Sequence, residues 1–258
     1  MLKKFPMKQE KIYIYGKHAV EEAVRNAPQV IQKVFLSARN DKELIRILEK
    51  AKIPIGDLNG NDATGGLDRG AKHQGVIGRL SLDRLVKPYS EFIKTLKPNP
   101  NTCLVLLGEL QDPQNVGAII RTAAAFGISG ILIPEHNQAP ITGAVVKVSA
   151  GMAFRVPLVS IGNVNSTLRD LKERGFWSYG MAGESKQSIT TEVFESPTVF
   201  VLGNEGAGLR TETRKMCDVL LSIPMHKQCE SLNVAASAAV ALYAWSQRHP
   251  NALHVNKA

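Results

Sequence analysis

Three short segments hold the residues whose types and spacing could do chemistry. In the first, ELQDPQNVGAIIRTAAAFG, Asn115 is followed by Gly117, Arg121 and Ala125, the last three recurring four residues apart on one helical face. Arg121 is flanked there by the two smallest side chains, and a planar cation with open space beside it suits a phosphate or ribose oxygen. Spacing alone favours the plainer reading, a surface arginine on a helix. In the second, VFVLGNEGAGL, an apolar run from Val199 through Leu202 enters a turn at Gly203, where a ligand can approach the main chain closely. Glu205 in that turn can cap backbone amides or bind a ligand, and a tight turn with a local hydrogen bond competes with both. In the third, SIPMHKQCESLNVAASAAVALYAW, Ser231 and Asn233 stand just ahead of an apolar helix, a position that caps occupy more often than catalysts.

Several other chemistries are excluded. The glycine-rich turn is not GxGxxG and lacks the acid about 20 residues on that a dinucleotide fold requires. It also lacks the Lys and Ser/Thr of a phosphate-binding Walker loop. Cys103, Cys217 and Cys229 are too few and scattered for a disulfide framework, and neither CxxC nor HExxH occurs, so reduced thiols and no metal are expected. Asp112 followed by Pro113 reads as a helix start, with a side-chain cap and a proline at the first helical position. The amides and dipole of that start favour an anionic group nearby.

The elements that must position these segments alternate between strand and helix. A first run places strands at residues 11–15, 33–36, 53–58 and 75–80 and helices at 18–26 and 41–51, with a Gly/Asn/Asp-rich loop at 59–70. It reads as a small α/β domain, 1–82. Residues 83–100, with Pro88, Pro98 and Pro100, read as a linker around a short helix. A second run, 101–258, opens on a continuously apolar strand at 103–107, the kind buried on both faces of a parallel sheet. Helices at 115–126, 144–152, 168–174 and 234–247 alternate with strands at 130–133, 156–160, 177–181, 198–202 and 220–223. The expected architecture is α/β, with a parallel sheet covered on both faces. The last helix is apolar nearly all round, which suggests tight packing or an interface with another chain.

Composition fits a globular chain with its own core: 258 residues, 44% apolar and 21% charged. No window approaches the ~20 apolar residues of a membrane span. The basic N-terminus MLKKFPMKQEK lacks an apolar h-region and reads as a solvated tail, so a cytoplasmic protein is expected. The net charge of +9 is uneven: +6 over residues 1–85, +2 over 86–100 and only +1 over 101–258. Such asymmetry suits a nucleic-acid-capturing module joined to a nearly neutral catalytic one. A solvated basic surface without a partner explains the charge equally well.

Together the order and spacing are specific. N-x-G-x-x-x-R at Asn115 to Arg121, LGNEGAGL at Leu202 to Leu209, and IPM followed by SLNVAAS between Ile223 and Ser237 resemble the three motifs of SpoU/TrmH-type RNA methyltransferases, of the SPOUT class. The likeness spans about residues 101–248. The first domain, with YGKHAVEEAV near its start and HQGVIGRL at its end, resembles the family's substrate-binding domain, similar to L30e/L7Ae folds. The resemblance implies a deep trefoil knot in the C-terminal domain and S-adenosylmethionine as cofactor, held by the main chains of Gly203, Ile223 and Leu232 with Leu202 and Asn233 beside them. It implies a homodimer with the active site at the interface, Arg121 acting on cofactor bound mostly by the other chain, and Asn115, Glu205, Ser231 and Asn233 shaping the catalytic pocket. The implied reaction is 2′-O-methylation of a ribose, above all of a guanosine in 23S ribosomal RNA. Another rRNA site, tRNA, or a non-catalytic RNA-binding role on the same scaffold are the alternatives. A guanidinium stays protonated, so orienting phosphate and stabilising charge on the 2′-oxygen suits Arg121 better than the role of base.

Overall fold

The computed structural model describes residues 11–37, 41–58 and 73–253; the tail expected before residue 11 and the loop expected at 59–70 lie outside them. In chain order the elements are β1 (Lys11–Tyr15), α1 (Lys17–Asn26), β2 (Ile31–Leu36), α2 (Lys42–Lys50), β3 (Ile55–Asp57), β4 (Val76–Ser81), α3 (Leu82–Leu85), β5 (Val86–Pro88), α4 (Tyr89–Thr95) and β6 (Cys103–Leu107). They continue as α5 (Pro113–Ala125), β7 (Gly130–Pro134), α6 (Gly143–Val148), β8 (Leu158–Ile161), α7 (Val164–Glu173), β9 (Trp177–Met181), β10 (Thr198–Leu202), α8 (Thr211–Met216), β11 (Val219–Leu221) and α9 (Val234–Arg248). Among the described residues no helix is long and apolar enough to cross a membrane.

Contacts divide the chain into two compact units, Met1–Val86 with Ile141–Arg155, and Lys87–Pro140 with Val156–Ala258. The first holds a mixed sheet in the order β1-β4-β2-β3, with β4 antiparallel to β1 and β2, and β3 parallel to β2. Leu44 and Leu48, one turn apart on α2, are fully buried, and Asp41 caps that helix by accepting from the Leu44 amide at 3.0 Å. The segment Ile141–Arg155 belongs to this unit although its neighbours in sequence belong to the other. α6 lies along β1, so close that a Cβ on Gly143 would stand 2.0 Å from the Tyr13 carbonyl oxygen. Arg155 ends the segment by donating from Nη2 and Nε to one oxygen of the buried Glu22 carboxylate, at 2.8 and 3.1 Å. No composition shift marks this excursion, because a short apolar helix reads the same whichever sheet it covers.

The second unit is built on a seven-stranded sheet in the order β11-β9-β10-β6-β7-β8-β5. Pairings from β11 through β8 are parallel. Every residue of β6 is fully buried, and all of β10 is buried beside it, as continuous apolar runs in a doubly covered sheet must be. Burial of side chains such as Leu106 and Phe200 stabilises the unit by about 1.5–3 kcal/mol each. From β6 the strands run outward through β7 and β8, then the chain returns to lay β10 on the other flank of β6. That places a topological switch between β6 and β10, and crevices beyond the carboxyl ends at such a switch are where ligands bind in open α/β sheets.

The proline-bearing stretch after the first unit is structured: β5 edges the sheet, and Phe92 and Ile93 of α4 are buried in the core with Leu104 and Leu106. Tyr89 at the start of α4 donates to Asp170 at 2.6 Å. α8 was not anticipated; its sequence TETRKM carries no apolar period, and Thr213 is its one buried residue. α9 buries one face, Ala238, Ala241, Leu242 and Trp245, and leaves Val240 and Tyr243 37% and 54% exposed.

Candidate active site

The switch between β6 and β10 opens onto a cavity of about 1180 Å3, above the ~300–1,000 Å3 of ordinary small-ligand sites. Its floor is the end of β10 and the turn that follows. Gly108, after β6, and Gly203, after β10, are pressed together: a Cβ on Gly108 would lie 2.1 Å from the Leu202 carbonyl oxygen. A Cβ on Gly203 would lie 2.3 Å from the Gly208 carbonyl carbon. Only glycine permits this closeness at either position. The turn closes on itself through paired backbone hydrogen bonds between Asn204 and Gly208, at 2.9 and 3.0 Å. The Asn204 side chain accepts from the amides of Gly206 and Ala207.

The glycine-rich turn thrusts Glu205 toward the start of α5. There the carboxylate accepts from the backbone amides of Gln111 and Asp112, both at 3.2 Å, and from Asn115 Nδ2 at 3.1 Å. The anion expected at that helix start is therefore Glu205 itself, supplied by the second segment. Burial raises its pKa, but the hydrogen bonds from Asn115 and from the amides of Glu205, Gln111 and Asp112 outweigh that and hold the carboxyl below its usual 4.5. Asp112 caps α5 as expected, accepting from the Gln114 amide at 2.8 Å.

Asn115 carries the link onward. Its Oδ1 accepts from Asn233 Nδ2 at 2.9 Å, while Asn233 Oδ1 caps α9 by accepting from the amides of Ala235 and Ala236. Asn233, rather than Ser231, is the cap. One hydrogen-bonded chain, Asn233 to Asn115 to Glu205, thus ties the three segments together, with each amide oriented by the next.

Of the residues singled out in sequence, Asn115, Leu202, Gly203, Glu205, Ile223, Ser231, Leu232 and Asn233 all line the cavity. Arg121 does not: it lies two turns along α5 from Asn115, exposed to solvent. The cavity also takes in Gln111 and the Met181–Glu184 stretch at the end of β9. Those residues carry no distinctive type or spacing; their one signal is that they follow a buried parallel strand next to β10. The apolar Leu202, Leu221, Ile223, Met225 and Leu232 beside main chain and amides suit a flat heteroaromatic group with a polar ribose. Among the described residues no cluster of three or more His, Cys, Asp or Glu side chains could hold a metal ion.

A parallel α/β sheet with a glycine-bounded cavity at its switch point, joined to a small mixed-sheet unit, defines a nucleotide-type ligand site in a two-part α/β protein. The chain belongs to the SpoU rRNA Methylase family, whose model matches residues 102–243. Residues 13–85 match the model described as RNA 2′-O ribose methyltransferase substrate binding. Among relatives, the 23S rRNA (guanosine-2′-O-)-methyltransferase RlmB of Xanthomonas campestris is 36% identical, covering 92% of this chain and 96% of its own. RlmB of Haemophilus influenzae is 37% identical over 89% and 95% of the two chains. Among solved structures, the SpoU methyltransferase AviRb of Streptomyces viridochromogenes, in complex with AdoMet, superposes with a TM-score of 0.77 at 21% identity, covering 93% of this chain and 91% of that one.

Proposed function

We propose that this chain transfers a methyl group from S-adenosylmethionine to a ribose 2′-hydroxyl, and that its substrate is a guanosine of 23S ribosomal RNA. The observation that carries the reading is the Asn233–Asn115–Glu205 chain, which draws all three family motifs around one cavity large enough for a cofactor and part of a second ligand. Relatives that share more than a third of their residues with this chain are named as enzymes of that specificity.

When bound, S-adenosylmethionine supplies a methyl group already activated by its sulfonium charge. The main chains of Leu202, Gly203, Ile223 and Leu232 would hold it, with the apolar side chains beside them excluding water. Asn115 and Asn233 orient polar groups at the rim, and Glu205 keeps the first turn of α5 in place. The 2′-hydroxyl would give up its proton to solvent water as its oxygen takes the methyl group and the carbon–sulfur bond breaks. A guanidinium near that oxygen stabilises the developing charge and fixes the adjacent phosphate. We assign this role to Arg121 of a second copy, since Arg121 stands outside its own cavity. The exposed Val240 and Tyr243 on α9, which packs against α5, support pairing of two copies through this region.

In this reading the first unit captures RNA: it matches the substrate-binding model, and residues 1–85 carry most of the excess positive charge. The C-terminal segment threads into a trefoil knot, a reading supported by β10 sitting inside the sheet between β9 and β6. A ribosomal RNA substrate, as the relatives' names give it, supports a location in the bacterial cytoplasm. The deciding experiment maps 2′-O-methylation across rRNA from cells with and without the gene, alongside calorimetry with S-adenosylmethionine. Unchanged rRNA methylation would refute the function.

A further inference from the structure

A second cavity, of about 250 Å3, adjoins the first across the glycine-rich turn, and Gly203 and Gly208 line both. It lies past the ends of β6, β7 and β8. Its polar lining is Glu109, His136, Asn137, Asn163, Asn165, Arg210 and Thr213, none of which lines the first cavity. At this size it is smaller than the ~300–1,000 Å3 of sites for drug-sized ligands, and it suits a single ring system.

Glu109 is held in an unusual way. Its backbone sits at φ +63, in the left-handed region that a residue with a side chain rarely adopts. Two side chains, Asn204 Nδ2 at 2.9 Å and Gln111 Nε2 at 3.1 Å, donate to its carbonyl oxygen and fix that conformation. Its carboxylate, 21% exposed, is ion-paired with Arg210. Strain of this kind, held in place by neighbours at the mouth of a cavity, is a pointer to function.

The lining mixes apolar Pro134, Val164 and Leu209 with polar groups in which one carboxylate stands against one guanidinium, with amides, a hydroxyl and an imidazole around them. A phosphate would meet a guanidinium already neutralised and a carboxylate beside it. An apolar ligand would strand every one of these groups. A guanine base meets both charges correctly: its N1–H and 2-amino group donate to a carboxylate, while O6 and N7 accept from a guanidinium. Adenine presents an unprotonated N1 to the carboxylate and an amino group to the guanidinium, the wrong polarity at both.

We infer that this cavity receives the guanine base of the nucleotide whose ribose is methylated, with Glu109 and Arg210 reading its identity. The inference rests on the methyl-transfer reading above, which brings that ribose to the first cavity. The base would leave its stack to enter, as bases do in enzymes that modify nucleotides.

The test has a binding arm and an activity arm. In the first, the full chain is titrated with guanosine 5′-monophosphate and adenosine 5′-monophosphate while the backbone amides of Asn137, Gly162 and Asn165 are followed by NMR. Guanosine-selective shifts at those amides are expected, and Glu109→Gln weakens that binding about 10- to 100-fold with S-adenosylmethionine binding unchanged. Nothing stands within 4 Å of where a Cβ would sit on Gly162, which lines this cavity. A side chain can therefore leave the backbone at Gly162 without a clash at its Cβ, and Gly162→Leu, which places bulk in the cavity, serves as a second variant if Glu109→Gln does not fold. In the activity arm, an rRNA fragment carries guanosine or inosine, which lacks the 2-amino group, at the target. The wild type prefers guanosine, and Glu109→Gln treats the two alike. Equal binding of the two monophosphates, or full guanosine preference in Glu109→Gln, overturns the inference. Guanosine-selective shifts without any methyl transfer to rRNA would leave the base site standing and remove the proposed reaction instead.

Discussion

Asn233 Nδ2 donates to Asn115 Oδ1 across 2.9 Å, joining the cap of the last helix to the first turn of α5 over 118 residues of chain. Because Asn115 in turn donates to Glu205, neither amide can rotate without breaking a bond at its far end. Asn115→Ala removes both bonds, taking the acceptor from the Asn233 amide and one of the two donors from Glu205 Oε1. The expected cost is about 1–3 kcal/mol of stability, read as a lower melting temperature, with weaker S-adenosylmethionine binding by calorimetry. A variant that melts and binds as the wild type does would show the chain to be incidental.

Glu205 makes the site sensitive to acid. Its folded pKa lies below the usual 4.5, so its contribution to stability is complete above that value and is lost as pH falls through the depressed one. Urea midpoints measured from pH 7 down to pH 3 should fall more steeply for the wild type than for Glu205→Gln, which has nothing to titrate there. Parallel acid limbs in the two proteins would count against this account of Glu205.

Gly203 cannot be replaced without moving the turn. The Cβ of Gly203→Ala would press on the Gly208 main chain, which has no side-chain freedom with which to give way. We expect a loss of about 1–3 kcal/mol in stability and cofactor binding weakened at least tenfold. Gly183 lines the same cavity with nothing within 4 Å of its Cβ position, so Gly183→Ala should fold and melt normally. Comparable damage from both substitutions would mean that the clash at Gly203 is not the cause.

Arg121 stands outside the cavity of its own chain, and the proposed pairing makes a specific demand. Arg121→Ala should bind S-adenosylmethionine normally yet transfer methyl groups about 100- to 1,000-fold more slowly, the scale of losing a charge-stabilising group. Mixed with a Gly203→Ala chain, it should regain part of its activity, because one hybrid site then holds an intact cavity and an intact arginine. No recovery on mixing would rule out action across the pair.

His249 ties the C-terminal end of α9 to the strands' periphery. Its ring stacks on Trp245 at 4.7 Å, and Nε2 lies 3.0 Å from the Phe194 carbonyl oxygen. Burial pushes the imidazole below its ordinary 6.5, against the pull of the Phe194 carbonyl. The unfolded chain therefore takes up a proton first, and stability declines as pH falls below about 6.5 toward the depressed folded value. His249→Gln should remove that decline from thermal melts recorded between pH 7.5 and 5; an unchanged profile would assign it to another group.

Much of the fold was legible because local chemistry decides it. The continuous apolar runs at 103–107 and 199–202 had to be buried on both faces, and both became central strands. Asp112 and Asn233 were recognisable caps because a short polar side chain ahead of an apolar period satisfies orphan amides wherever the helix later packs. The excursion at Ile141–Arg155 and the folding of residues 87–95 into the second unit were not legible, since which sheet an apolar helix covers is settled by partners distant in sequence.

The same division holds for the site. Residue types and order drew attention to Gly203, Glu205 and Asn233; the resemblance to the family's motifs added Asn115, and that pattern needs no coordinates. What they do to one another was decided by the tertiary structure. Glu205 lies 93 residues beyond the Asp112 amide it accepts from, and nothing in a linear chain says that the anion favoured by one helix start will come from a turn so far away. The sheet's switch between β6 and β10 brings them together, and it leaves Arg121 on the outer side of the helix whose first turn they share. Hydrogen bonds act over about 3 Å of space, and only packing sets which residues come that close.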